Sequence, residues 1–392
     1  MSAQADDRAG RPPLHAPVDG VERLLDGPVF SRWRGVRRAL RLLWWVVSLQ
    51  ASRRIPVALG ERKGRRRARE AAARAAARRE RLGADARTRL AEFLASGARL
   101  TATPGAAPDV SALIVTWNQA HLTLRCLEAL LAQRECAIEV VVVDNASTDE
   151  TAELLSRLDG AVVLRNASNE GFLLASNRGA AVARGRNLLF LNNDAFPLAG
   201  AVASAQAALE SAPDIGAVGG RLILPSGRLQ EAGCILWADG VSTGIAAGLP
   251  PDAPEAMTRR DAHYCSGAFL MTPAAVWREL GGFDEVFAPG YYEEADYCMR
   301  LRRSGRRVVF EPAVAALHFH LGSEAKAGDA LRASEHNRLV FCARHAAVLK
   351  AEHPPAAQRQ QGGVDGPQAA EAPSAVAGRL DTPAEPDDHS PP

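Results

Sequence analysis

Four short polar groups interrupt the apolar runs of this chain at positions suited to chemistry. "IVTWNQ" ends an apolar run with Thr116 and Asn118, "VVVDNASTDE" ends one with Asp144, and "LFLNNDA" ends one with Asn192, Asn193 and Asp194. "YYEEADYC" places Glu293, Glu294 and Asp296 at the start of a helical pattern. A single Asp-Asn pair after a strand reads equally well as a turn. Three polar strand ends in succession read better as one rim, because ligands of open parallel sheets sit outside the carboxyl ends of the strands. Asp194, directly after a buried run, is the natural oxygen ligand for a divalent cation. Carboxylates in the first turn of a helix satisfy free N–H groups, yet three acids in four residues exceed that need. Their mutual repulsion is expected to raise at least one pKa, as a general base working near neutrality requires.

The elements that must position these groups follow from the period of the hydrophobic pattern. "VSALIVTW", "AIEVVVVD", "AVVLR" and "NLLFLNND" are unbroken apolar strands, and "AHLTLRCLEALLAQ", "TDETAELLSRL" and "FLLASNRGAAVARG" are helical segments between them. That alternation predicts an α/β domain with a mostly parallel sheet covered by helices on both faces. Ser147 is expected to cap the helix after Asp144, with Asp149 and Glu150 at its positive end.

The 392 residues carry a net charge of +2, but residues 31–100 hold 20 Lys and Arg against 5 Asp and Glu, so a basic arm precedes an acidic body. Residues 1–30 read as disordered and 31–103 as a basic amphipathic helical arm. The domain proper reads as 109–350, and 353–392, with eight prolines, as a disordered tail. In "SRWRGVRRALRLLWWVV", Trp33, Val36, Leu40 and Trp44 share one face among arginines, the pattern of a helix lying in an anionic membrane surface; a helix docked on the body is the competing reading. Nucleic acid is not expected as a partner. The polar N-terminus shows no signal-peptide core, and "ALRLLWWVVSLQA" is too short to span a bilayer. The expected location is cytoplasmic, peripheral on the inner membrane face. Six scattered cysteines with no C-x-x-C pair read as free thiols.

"VTWNQ", "VVVDNASTDET", "NEGF…NRG", "LNNDA" and "YYEEADYCMRLRRSG", in this order over roughly residues 109–325, resemble the inverting glycosyltransferases of family 2, of GT-A (Rossmann-like) fold, and best their bacterial rhamnosyltransferase-like and O-antigen branch. The resemblance implies a nucleotide-diphosphate sugar donor, dTDP- or UDP-linked, a glycan or lipid-linked acceptor, and Mn2+ or Mg2+ neutralising the departing diphosphate. It places Asp194 and His318 (in "AALHFH") at the metal. Thr116, Asn118, Asp144, Asn169, Gly171, Asn177, Arg178 and Asn193 fall at the nucleotide sugar, and Glu294 becomes the base, with Glu293 beside it and Asp296 in reserve. Trp237, Asp239, Gly267 and Asp284 fall on the acceptor side. The chain departs from the family pattern twice: Asn192 stands where a D-x-D-like motif begins, and Glu294 where Asp is usual. These departures keep a catalytically silent sugar-nucleotide scaffold in view. A nucleotidyltransferase should carry a Gly-rich loop after its first strand, where this chain has "TWNQAHLTLR".

Overall fold

The structure, a computed structural model, describes residues 66–320 and 327–359. The chain divides into two compact units, 1–73 and 74–392. Of the first, only the opening turns of helix α1 (residues 66–96) are described, where Arg66 pairs with Glu70. Trp33, Val36, Leu40 and Trp44 lie outside the described residues.

The second unit is built on β2 (Val110–Thr116), β3 (Ile138–Asp144), β5 (Val162–Arg165) and β6 (Asn187–Asn192). Their β-branched and aliphatic side chains suit a pleat covered on both sides, and every residue of β3 is buried. Successive residues feed opposite cores. Ala112 and Ile114 of β2 pack with Cys126 and Leu127 of α2 (Ala120–Leu131) and with Val202 and Ala205 of α5 (Ala201–Glu210). Leu113 and Val141 pack instead with Leu173 and Ala180 of α4 (Gly171–Val182). Each such aliphatic side chain contributes about 1.5–3 kcal/mol by leaving water. Helices therefore cover both faces, as the pattern predicts.

Further strands complete the sheet: β8 (Ile215–Ile223), β12 (Arg260–Asp261), β13 (Phe269–Pro273) and β14 (Arg307–His318). The order is β12-β14-β8-β13-β6-β2-β3-β5. β5, β3, β2 and β6 run parallel, as does the pair β8 and β14. β13 is antiparallel to both β6 and β8, so it joins two parallel blocks of the same direction. The carboxyl ends of β2, β3, β5, β6, β8 and β14 thus share one edge with the amino end of β13. The chain places β3 and β5 on one side of β2 and then β6 on the other, which puts a topological switch point, and hence a crevice, between β2 and β6.

The C-terminal half of α1 docks on this body. Leu90 and Phe93 are buried with Leu124 and Leu154, and Ala86 with Leu122 and Phe319. Past α1, β1 (Leu100–Thr101) pairs with β4 (Leu158–Asp159). Near the other end of the described residues, the buried His353 donates from Nδ1 to Leu236 O at 2.9 Å. α9 (Ala356–Arg359) then brings Arg359 to Asp239 at 3.2 Å. All six cysteines are free thiols, four of them buried.

Candidate functional site

The floor of the crevice is a hydrogen-bonded lattice across the switch point. Asn193 Nδ2 donates to Thr116 Oγ1 at 3.3 Å and to Thr123 Oγ1 at 3.1 Å, joining the end of β6 to the end of β2 and to α2. Thr116 is fully buried and its hydroxyl is committed there. Thr116 and Asn193, both expected at the nucleotide, are therefore bonded to each other across the switch point. Asn118 joins β2 to the next loop: its amide N–H donates to Ser147 Oγ at 2.8 Å, and its Oδ1 accepts from Thr148 N at 2.8 Å. Ser147 is thereby drawn away from the expected helix-capping role. Helix α3 (Thr151–Ser156) instead has Asp149 Oδ1 accepting from Thr151 N at 3.0 Å.

Asp144, 3 % exposed, closes β3 and accepts from Ser147 N at 3.0 Å. Beside it runs an amide chain that the sequence reading missed. Asn166, just past β5, donates to Asn145 Oδ1 at 2.7 Å and accepts from Arg178; Asn145 Nδ2 donates to Gly171 O at 3.0 Å. A polar residue directly after the short run "VVLR" was the available signal. Arg178 is thus tied to the strand-end rim through Asn166. Asn169 accepts from Gly171 N at 2.9 Å and caps the start of α4. Asn177 clamps the backbone of Phe283, donating to its carbonyl and accepting from its N–H, rather than facing the crevice. Gly171 has φ +81°, and a Cβ there would lie 2.2 Å from the Pro289 carbonyl oxygen. The close approach it allows is to the chain's own loop.

At the far end of the rim, β7 (Ala195–Pro197) pairs with the end of β14, setting Ala195 opposite His318. This pairing brings His318 Nε2 to 3.2 Å from Asp194 Oδ1, both side chains being buried. Nδ1 of His318 donates to Gln230 Oε1 at 2.7 Å, so its proton is held away from the carboxylate. Nε2 then faces Asp194 and the Asn192 amide, 3.3 Å away. Two electron-pair donors aimed at one point are what a divalent cation satisfies, and the residues fit one that takes its remaining ligands from substrate phosphate and water. Among the described residues no group of three or more His, Cys, Asp or Glu side chains could hold a metal. His320 stacks edge-on to His318 at 5.6 Å between centroids.

Helix α7 (Glu293–Arg303) carries the acids. Burial, and then the charge of Glu294, push the Glu293 carboxyl well above the usual carboxylate range; its Oε2 has no hydrogen-bond partner. Glu294 is also raised, chiefly by burial and further by Glu231, while the Gly267 amide opposes the shift. Burial therefore outweighs the mutual repulsion expected from the sequence. Gly267 lies just before β13, at the edge where the Asn192 backbone N–H donates to Ala268 O at 3.2 Å, so the acid pair shares the rim with β6. Glu231, on β9 (Leu229–Ala232), is a third buried carboxylate here, raised by desolvation, and accepts from Ser266 N at 3.1 Å. The sequence reading missed it; an acid in the buried strand "LQEA" was the clue.

Asp296 belongs elsewhere. Fully buried, it accepts from His345 Nε2 at 2.8 Å, Arg344 Nη1 at 3.1 Å and Arg300 Nε at 2.7 Å. Burial alone would raise its pKa, but the His345 hydrogen bond and the two guanidinium charges outweigh burial and hold it below the ordinary value. A carboxylate so paired cannot serve as a reserve base. A group with a depressed folded pKa contributes stability above its unfolded pKa and loses it as pH falls through the folded one. Asp296→Asn should therefore cost about 3 kcal/mol near neutrality, and the difference in melting temperature from the parent should shrink as pH drops below about 4. A constant difference across that range would remove the ion-pair account.

Three residues expected on the acceptor side have partners within the chain. Trp237 is buried, with Nε1 on Thr243 Oγ1 at 2.9 Å, so its ring is packed and not open to a sugar. Asp239 pairs with Arg359, and Asp284 caps Val286 N at 3.0 Å while pairing with Arg344 at 2.6 Å. Gly267 stays on the rim, its α-carbon beside the Phe172 ring. A cavity of about 470 Å3 beside Asp109 and Cys136 opens at the opposite edge of the sheet, away from the polar strand ends.

The carboxyl edge of the sheet thus gathers a switch-point crevice, an acid–imidazole pair at one end and the Glu293–Glu294 acids beside it. Residues 111–271 match the family described as Glycosyl transferase family 2. The chain is 29% identical over 225 residues to the O-antigen biosynthesis protein RfbC of Myxococcus xanthus, covering 55% of this chain and 18% of that protein. It is 37% identical over 89 residues to the succinoglycan biosynthesis protein ExoO of Rhizobium meliloti, covering 22% of this chain and 26% of that protein. The chain thus spans about a quarter or less of the length of these relatives. Among solved structures, the mannosyltransferase PcManGT from Pyrobaculum calidifontis, in complex with GDP-Man and Mn2+, superposes with a TM-score of 0.44 at 18% identity, covering 72% of this chain and 79% of that one.

Proposed function

We propose that this protein is a metal-dependent, inverting glycosyltransferase that moves a sugar from a nucleotide-diphosphate donor to a hydroxyl of a cell-surface glycan or lipid-linked precursor. The observation that carries the reading is the 3.2 Å pair of Asp194 and His318 at the carboxyl edge of the sheet that also presents Glu293 and Glu294. Asp194 and His318 would hold Mn2+ or Mg2+, which when bound supplies positive charge against the departing diphosphate. Asp144 holds the nucleoside end of the donor, and the Asn145–Asn166–Arg178 chain fixes the wall beside it. Glu294 accepts the proton of the acceptor hydroxyl as its oxygen attacks the anomeric carbon from the face opposite the leaving group. Its raised pKa suits a base that must take up and release a proton near neutrality.

The test is a panel of UDP-, dTDP- and GDP-sugars with Mn2+ or Mg2+, read as thermal stabilisation and as nucleotide release with and without glycan acceptors. A donor that both stabilises the chain and turns over is expected. Nucleotide binding with no turnover on any donor and acceptor would favour the scaffold reading.

The acceptor's place is the basis for a second element of the proposal, contact of the basic arm with an anionic membrane surface. Among the described residues no helix is long and apolar enough to cross a membrane. The described part of the arm carries Arg67, Arg74, Arg78 and Arg81 at helical spacing, all of them exposed. The full chain should co-sediment with vesicles containing anionic lipid at low ionic strength and be released as salt shortens the screening length below about 10 Å. Absence of binding at low salt removes this element.

A further inference from the structure

The acid pair is delivered by an unusual turn. Tyr291 and Tyr292 precede Glu293, and both have positive φ, 75° and 70°. Non-glycine residues with bulky side chains rarely occupy that region, and they stay there only when their surroundings over-determine it. The restraint comes from the far end of the chain. Asn337 lies in the middle of α8 (Ala327–Glu352), where asparagine is a poor helix residue, and it is 1 % exposed. Its Nδ2 reaches three carbonyl oxygens of the loop before α7: Phe287 O at 2.7 Å, Gly290 O at 2.9 Å and Tyr291 O at 3.0 Å.

The same helix grips the loop on either side of that point. One turn on, Phe341 is fully buried and packs its ring 5.4 Å from Tyr292, whose hydroxyl donates to Gly240 O at 2.9 Å. Another turn on, Arg344 spans Asp284 and Asp296, the residues flanking the loop. Phe341 and Arg344 fix where the loop's ends sit. Asn337 bonds the backbone of the strained turn itself. Three convergent carbonyls also demand a donor there, since a residue without one would leave buried acceptors unsatisfied.

We infer that Asn337 is a positioning residue: it pins the Gly290–Tyr292 turn in its left-handed conformation and so presents Glu293 and Glu294 to the rim. This rests on the reading of that acid pair as the reacting group. Asn337 touches no rim residue itself and acts through the backbone.

The experiment compares the full chain with Asn337→Ala and with the double variant Asn337→Ala/Tyr291→Gly, since glycine adopts positive φ without a steric cost. Amide hydrogen exchange over Gly290 to Glu294 should quicken by about tenfold or more in Asn337→Ala, with β2, β3 and β6 unchanged. Transfer should fall by about 10²-fold in kcat with the donor KM within about twofold, because a small misplacement of a base penalises the chemical step and leaves donor binding intact. The added Tyr291→Gly should return protection to the turn and recover about tenfold of the lost kcat. A general loss of stability would spread faster exchange over the sheet and would not be relieved at one φ. Unchanged exchange over Gly290 to Glu294 in Asn337→Ala overturns the inference whatever the activity. Faster exchange there with undiminished transfer leaves the pin standing and overturns the role of the acid pair.

Discussion

Asp194→Ala should all but remove metal-dependent transfer while leaving the fold intact. Removing the carboxylate takes away the acid that faces His318 Nε2, 3.2 Å distant. A bound cation contributes several kcal/mol of charge stabilisation, so a loss of about 3–4 kcal/mol, or about 10²–10³-fold in kcat, is expected even if weak metal binding survives on His318. The backbone accounts for the retained fold. Asp194 O accepts from Phe319 N at 3.0 Å, and Ala195 pairs with His318 through strand hydrogen bonds that do not involve the side chain. His318 also keeps Gln230 and Asn192. The measurements are nucleotide release with a productive donor and the gain in melting temperature on adding Mn2+ with free nucleotide. The variant should show little of either while melting within a few degrees of the parent without metal, because the backbone pairing around residue 194 does not use the carboxylate. Undiminished transfer would take the metal away from Asp194.

Glu294→Gln should lower kcat by about 10²–10⁴-fold, the range general bases contribute, while donor binding persists. Its stability should move the other way. Burial raises the Glu294 pKa, and a carboxyl with a raised folded pKa contributes stability that is present below the unfolded value and lost as pH rises through the folded one. A permanently neutral Gln escapes that loss. The variant should match the parent at acidic pH and melt higher than it as pH rises, so lost activity could not be blamed on unfolding. In the parent, the acidic limb of kcat/KM should lie above the ordinary carboxylate range, because the base must first ionise. Transfer unchanged in Glu294→Gln would shift the assignment to Glu293, whose Oε2 is unpartnered, and not to Asp296, which is held by three cationic or imidazole donors.

The frame was legible because local rules set it. "VSALIVTW", "AIEVVVVD" and "NLLFLNND" are strands at nearly the expected bounds, since unbroken β-branched runs have few alternatives. The polar residues at their ends do share one edge, since parallel strands align their carboxyl ends. The errors have a common origin. Asp296, Asp284, Asp239 and Trp237 were assigned by type and neighbourhood in the chain. What decided the acids was a partner far away in the chain, Arg344 and His345 for Asp296, Arg344 for Asp284 and Arg359 for Asp239, while Trp237 was taken up by the strand pair on either side of it. Ser147 failed as a cap for the same reason, having been claimed by Asn118.

By itself the sequence determined which side chains stand at strand ends, because hydrophobic period and chain direction are local and a carboxylate after an apolar run has one edge to occupy. Only the tertiary structure decided which of those groups remain available for chemistry. The antiparallel β13 brings Gly267 to Glu294, the β7–β14 pairing brings His318 to Asp194, and α8 neutralises Asp296 while holding the turn before Glu293. The physical reason is that the ionisation of a carboxyl depends on burial and on charges within a few ångströms, and those neighbours come from segments that the order of residues does not place beside it.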